Sequence, residues 1–169
     1  MIDKSKLEQI ANMNTVLFVD NTIQAFDTMA GIRFEPESVK PLYSPVSHPN
    51  GFVAIMHFIG KVQGDYIIYT DEITASKIAD VYPEDGNLEA VCTVRNIFAD
   101  LLCEVLNVSS NDSLFGLESR FGRLVLNPPV WVFGEYHVGH STVGVCPIKG
   151  ECGIVQCSCY INSTGVENE

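Results

Sequence analysis

One stretch decides the fold: LEAVCTVRNIFADLLCEVLN, Leu88 to Asn107. It carries the longest helical periodicity in the chain. Val91, Val94, Phe98, Leu101 and Val105 recur at three- and four-residue steps, widened by Ile97 and Leu102, and define one buried face. Asp85-Gly86-Asn87 is turn chemistry, and Asn87 is placed to cap the first turn, with Glu89 where a helix N-terminus favours an acid. A second face collects Thr93, Asn96, Asp100, Glu104 and Asn107. On spacing alone, that stripe is the solvated side of an amphipathic helix.

Working outward, residues 5–31 form a second long helical pattern, through Val16, Val19, Ile23 and Phe26, with a break expected near Asn12–Asn14 and Gly31 as a left-handed terminator. A Pro-rich stretch with a short strand near Val39–Tyr43 follows. FVAIMHFI (52–59) and DYIIYT (65–70) then make a hairpin. His57 in the first of these strands is expected to be a satisfied core or edge residue. Thr70 or Asp71 caps a short helix, EITASKIADV, which Tyr82-Pro83 ends. After the long helix, residues 108–118 (VSSNDSLFGLE) are expected to be a polar loop. Strand-like runs follow at 123–126, 129–133, 136–147 and 153–161, with Trp131 expected in the core and Lys149-Gly150 as the last turn.

Each half thus runs long helix, short strand, proline break, hairpin. Overlaying Val19-Asp20-Asn21 on Val94-Arg95-Asn96 brings the halves together. The fold expected is α+β: a two-layer sandwich of two long antiparallel helices on a six-stranded, mainly antiparallel sheet, with internal pseudo-two-fold symmetry. All 169 residues make one domain, with 1–14 as an N-terminal extension and 165–169 as a frayed tail.

Composition excludes several functions. Ten Lys and Arg against 21 Asp and Glu, a net charge of −11, leave too few cations to neutralise a nucleic-acid backbone or an anionic membrane. An acidic surface suits a protein partner with a basic patch. No signal peptide or membrane-length apolar run is present, so the expected compartment is the cytoplasm. The six cysteines then pack as thiols. Cys157-Ser-Cys159 with Cys146 or Cys152 is the nearest approach to a thiolate metal site, but no CxxC is present. His137 and His140 alone do not close one, so no metal is expected.

Several segments resemble one family in the right order. The run Gly64-Asp-Tyr-Ile-Ile-Tyr-Thr-Asp-Glu-Ile-Thr-Ala-Ser-Lys-Ile-Ala79 is similar to the hairpin strand and short helix of CheX-type chemotaxis phosphatases. Phe26-Asp-Thr-Met-Ala-Gly31 resembles the end of their first helix. Asn127-Pro-Pro-Val-Trp-Val-Phe-Gly134, followed by His137, resembles a late strand. The resemblance to the CheC/CheX/FliY group implies the two-layer pseudo-symmetric fold, a homodimer, and a CheY-like receiver domain as partner. It also implies removal of phosphate from the receiver's aspartyl phosphate. The protein brings no cofactor of its own, and Mg²⁺ is expected on the receiver.

The family's E-x-x-N signature on the long helix makes chemical sense. An amide that both donates and accepts holds a water in line with phosphorus, and an acid one turn earlier pairs with the receiver's lysine. The matching positions here are Thr93-Val-Arg-Asn96, so Asn96 and Thr93 are the expected catalytic residues. Arg95, Asp100 and Glu104 are the expected partner contacts. Threonine offers a hydroxyl but no charge, and losing a partly buried acid–lysine contact costs about 2–5 kcal/mol. Activity is therefore expected to be weak. The alternative is a catalytically inactive receiver-binding or structural protein on the same fold. Glu104-Val-Leu-Asn107 also fits E-x-x-N, but this reading places it near the helix end, about three turns from the matching position, as a coincidence of spacing.

Overall fold

The computed structural model describes the backbone of residues 4–42, 46–81, 91–138 and 143–162, and the side chains of 5–40, 51–80, 96–136 and 144–162. The expected cap at Asn87, the acid at Glu89, the stop at Tyr82-Pro83 and the side chains of His137 and His140 lie outside the described residues. The elements are α1 (Lys4–Ala30), β1 (Phe34–Pro36), β2 (Lys40–Leu42), β3 (Val46–Ile59), β4 (Gln63–Asp71), α2 (Glu72–Val81), α3 (Val91–Phe121), β5 (Val125–Leu126), β6 (Val130–Val138), β7 (Val143–Gly150) and β8 (Gly153–Asn162).

All strand pairs are antiparallel and belong to one sheet. β1 and β2 lie one after the other along β7, and β5 and β6 likewise along β3. Eight strands therefore fill the six expected positions. The centre is the β4–β8 pair, in register from Gln63↔Asn162 to Thr70↔Val155. About that pair, α1-β1-β2-β3-β4 corresponds to α3-β5-β6-β7-β8. Both long helices end the same way: Gly31 (φ 67°) and Gly122 (φ 75°) take the left-handed conformation, and their amides donate to Asp27 O and Glu118 O.

This correspondence corrects the overlay of the two halves. With Gly31 on Gly122, Asn21 falls on Asp112 rather than on Asn96, Met13 on Glu104, and Val16 on Asn107.

The helices cover one face of the sheet. Phe18 and Phe26 of α1 and Phe98, Leu102, Leu106 and Leu117 of α3 meet Phe52, Phe58, Tyr66 and Ile68 of the strands. Each such buried side chain contributes about 1.5–3 kcal/mol. Residues 4–14 are continuous with the rest of α1, without a break at Asn12–Asn14, and bury Leu7, Ile10 and Ala11 in this core rather than standing apart as an extension.

The expected loop at 108–118 is instead the second half of α3, which spans 31 residues. Its Ser/Asn/Asp/Gly composition reads as a loop, but the serines face inward. Ser109, Ser110 and Ser113 are buried, and Ser109 and Ser113 return their hydroxyls to the carbonyls of Val105 (2.7 Å) and Ser109 (2.6 Å). They continue the stripe from Val105 and Leu106 to Leu114, Leu117 and Phe121 and let α1 come close. At Gly116 a Cβ would stand 3.0 Å from Leu17 Cδ2. Packing against α1 thus outweighs local propensity.

Smaller corrections follow from the sheet. Trp131 is 39 % exposed, because β6 is an edge strand paired only with β3 among the described residues. The last turn is Glu151-Cys152, not Lys149-Gly150. Cys146, Ile148, Val155 and Cys157 must all face the core, and that alternation carries pairing on to Gly150↔Gly153. His57 Nδ1 lies 2.8 Å from Asp65 Oδ1. Of the two candidate caps for α2, Asp71 takes the role: its carboxylate accepts from Thr74 N and Thr74 Oγ1, both at 2.9 Å.

Candidate functional site on the outer face of the third helix

The stripe that periodicity left as a wet face is exposed. Asn96, Asp100 and Glu104 are exposed and Asn107 is half-buried. Thr93 and Arg95 belong to the first two turns of α3, and their side chains lie outside the described residues. The extent of α3 changes the relation among these positions. Thr93 and Asn96 sit at the start of the helix. Glu104 and Asn107 sit in its middle, with fourteen residues still to run, from Val108 to Phe121. One ground for setting them aside, nearness to the helix end, is gone; the offset of about three turns from Thr93 and Asn96 remains.

Asn107 is also held. Asn111, one turn later, donates from Nδ2 to the Asn107 backbone oxygen (2.7 Å) and to its Oδ1 (3.2 Å). That contact turns the Asn107 amide oxygen along the helix and leaves Nδ2 to donate outward. Glu104 stands one turn earlier on the same face. Among the described residues the ion pairs are Arg33–Asp27 and His57–Asp65, so neither Asp100 nor Glu104 is matched to a cation. The field of this face registers on Cys103: burial, then Asp100 and Glu104, push its thiol above the ordinary range. An unmatched acid beside an oriented amide is chemically suited to meet a cation and to position a polar molecule.

α1 runs antiparallel alongside. Arg120 reaches Met13, Gly116 faces Leu17, and Ser113 Oγ accepts from Asn21 Nδ2 at 3.0 Å. Among the described residues no three His, Cys, Asp or Glu side chains cluster as a metal site. Cys159 donates to Asn14 Oδ1 instead, and Cys146 to Glu37 O. No described helix is long and apolar enough to cross a membrane.

This pseudo-symmetric two-layer architecture, with paired long helices on one face of an antiparallel sheet, defines a structural class. No protein-family model and no curated protein sequence matches the chain. Solved structures do. A putative chemotaxis protein from Desulfovibrio vulgaris Hildenborough is similar at TM-score 0.75 and 18% identity, over 89% of this chain and 97% of that one. The chemotaxis protein CheX from Desulfovibrio desulfuricans is similar at 0.74 and 18%, over 89% and 99%. CheX from Borrelia burgdorferi, solved in a complex with CheY, BeF3 and Mg²⁺, is similar at 0.70 and 21%, over 87% and 96%. The fold is that of the CheX- and CheC-like chemotaxis proteins.

Proposed function

We propose that this protein binds a phosphorylated CheY-like receiver domain on the outer face of α3 and promotes hydrolysis of its aspartyl phosphate, with Glu104 and Asn107 as the working pair. The observation that carries this is the exposed Glu104 one turn from the half-buried, oriented Asn107 in the middle of an unbroken helix. The partner class rests on the CheX-type fold, one of whose solved examples was crystallised with CheY.

In this reading the receiver supplies the phosphoryl group, the Mg²⁺ and a lysine. Glu104 pairs with that lysine and seats the helix. Asn107 holds a water in line. The water oxygen bonds to phosphorus as the bond to the aspartyl oxygen breaks, giving inorganic phosphate and a free carboxylate. Asn111 is a positioning residue that keeps the amide turned. Asn96 and Thr93, about three turns earlier, become peripheral contacts, with Arg95 and Asp100 beside them. A homodimer belongs to the same proposal, formed through the exposed β6 edge.

The test is phosphate loss from a phosphorylated receiver. Asn107→Ala should lower the rate by about 10²–10³, as removal of one positioned transition-state donor does. Glu104→Ala should weaken binding as well, Asn111→Ala should act in between, and Asn96→Ala should stay near wild type. Loss of activity in Asn96→Ala with Asn107→Ala unaffected would return the site to the helix start. Binding of the phosphorylated receiver without faster hydrolysis would leave an inactive receiver-binding protein, and no binding a structural one.

A further inference from the structure

Toward the C-terminal end of α3, a groove of about 240 Å³ lies between α1 and α3. Ile10, Met13, Leu17, Gly116, Leu117 and Arg120 shape it, and no acid is among its lining residues. Met13 is 59 % exposed. On the outer sides of the two helices Val16 and Phe115 extend the apolar surface, Phe115 at 68 % exposure. In the pseudo-symmetry of the fold, Met13 and Val16 occupy the positions of Glu104 and Asn107. The two faces have the same helix-pair shape and opposite chemistry.

Charge is distributed the same way. The chain carries −11 overall. Yet among the described residues that line this groove the one charged side chain is Arg120, whose guanidinium lies 3.8 Å from Met13 Sδ, with Lys6 one turn before Ile10 on the same stripe of α1. Arg120 has no acid partner among the ion pairs of the described residues. The nearby carboxylate of Glu118 is engaged elsewhere, accepting from Leu124 N at 2.9 Å. A guanidinium beside exposed apolar side chains, in an otherwise acidic protein, is complementary to a ligand with an apolar stripe and a carboxylate flank. A trough between two antiparallel helices fits a third helix with anchors at i, i+3, i+4 and i+7.

We infer that this groove docks an amphipathic helix of a partner protein, apolar on one face and acidic along its flank, independently of the Glu104–Asn107 site. The probes are two labelled synthetic helical peptides of about 16 residues, roughly 24 Å long. They share one leucine and phenylalanine stripe, with glutamate flanks in one and lysine flanks in the other. By fluorescence anisotropy against the full chain, the glutamate peptide should bind at least about 10-fold tighter. Arg120→Glu should invert that preference. Met13→Ser and Phe115→Ser, exposed positions whose folding is checked by circular dichroism, should each weaken binding about 5- to 10-fold. The inference is overturned if neither peptide binds, if both bind equally, or if Arg120→Glu leaves the preference unchanged. It is also overturned if wild type forms a dimer that Phe115→Ser dissolves, which would give the groove to a second copy.

Discussion

Asn14 is the residue through which the helix pair is tied to the sheet, and its removal has a calculable consequence. It is buried, and three elements converge on its amide. Nδ2 donates to Ser113 O of α3 at 3.0 Å. Oδ1 accepts from Tyr66 Oη of β4 at 2.6 Å and from Cys159 Sγ of β8 at 3.3 Å. Tyr66 is fully buried, and burial pushes its phenol far above the ordinary range, so it remains a donor at every accessible pH. Its ring is packed beside Phe18 (centroids 4.8 Å) and Phe58 (5.3 Å), which bars a swing toward another acceptor. Asn14→Ala therefore strands a buried hydroxyl, at about 1–3 kcal/mol. The lost amide volume adds about 1 kcal/mol, so the total expected is about 2–4 kcal/mol. Urea unfolding should show the midpoint falling by about 1–2 M with an unchanged slope. Combining Asn14→Ala with Tyr66→Phe removes donor and acceptor together, and the double variant should be about 1–2 kcal/mol more stable than the sum of the singles. Additive effects, or a loss below about 0.5 kcal/mol for Asn14→Ala, would refute the bond as a stabilising link.

Two further outcomes concern the short helix and the sheet edge. Burial opposes ionisation of Asp71, but hydrogen bonds from the Thr74 amide and hydroxyl and from the Ile73 amide outweigh it and hold the carboxyl below its ordinary value. A depressed folded-state pKa stabilises above the unfolded pKa and is lost as pH falls through the folded one. Asp71→Ala should therefore cost about 1 kcal/mol at pH 7, and its difference from wild type in thermal melts should vanish in acid; a difference constant with pH would deny the carboxylate cap. Val130, Trp131, Val132 and Phe133 are consecutive exposed apolar residues on the β6 edge. Val132→Lys should convert a sedimenting dimer to monomer, and a wild-type monomer at every concentration would remove the edge as an interface.

Much of the fold is legible in the residues because hydrophobic period and capping chemistry are local. The continuous apolar runs of β3 and β4, a cap at Thr70 or Asp71 and the stripe of Phe98, Leu102 and Val105 need no distant information. What fails is what depends on the partner element. Ser109, Ser110 and Ser113 look like loop residues until α1 lies against them, where their small size and the back-bonded hydroxyls of Ser109 and Ser113 suit a close helix contact. Trp131 looks like core until β6 is known to be an edge. One missed signal was local, however. Gly31 is legible as a left-handed helix end, and the same argument at Gly122, followed by a short strand and Pro128-Pro129, places the end of α3 there. That would have extended the helix through Asn111, moved Glu104 and Asn107 to its middle, and set the overlay of the halves by their matched ends.

The pseudo-symmetry then explains how one small domain holds two dissimilar surfaces. Duplicated helices on a shared sheet have equivalent backbones, so each outer face is free to vary without disturbing the core: Glu104 and Asn107 project from α3 as Met13 and Val16 do from α1. Shape is common to both faces, and only side-chain chemistry separates them. Glu104 and Arg120 lie sixteen positions apart on the same helix, about 24 Å. A ligand of the acidic, amide-bearing face and a helix in the basic, apolar groove would therefore lie at the middle and at the C-terminal end of α3, while Asn14 and Asn21 bond to Ser113 between them. The buried contact through Ser113 fixes the spacing of α1 and α3, and so the width of the groove, without a side chain in common with the acid–amide pair. The two surfaces are separable by substitution although they share one helix.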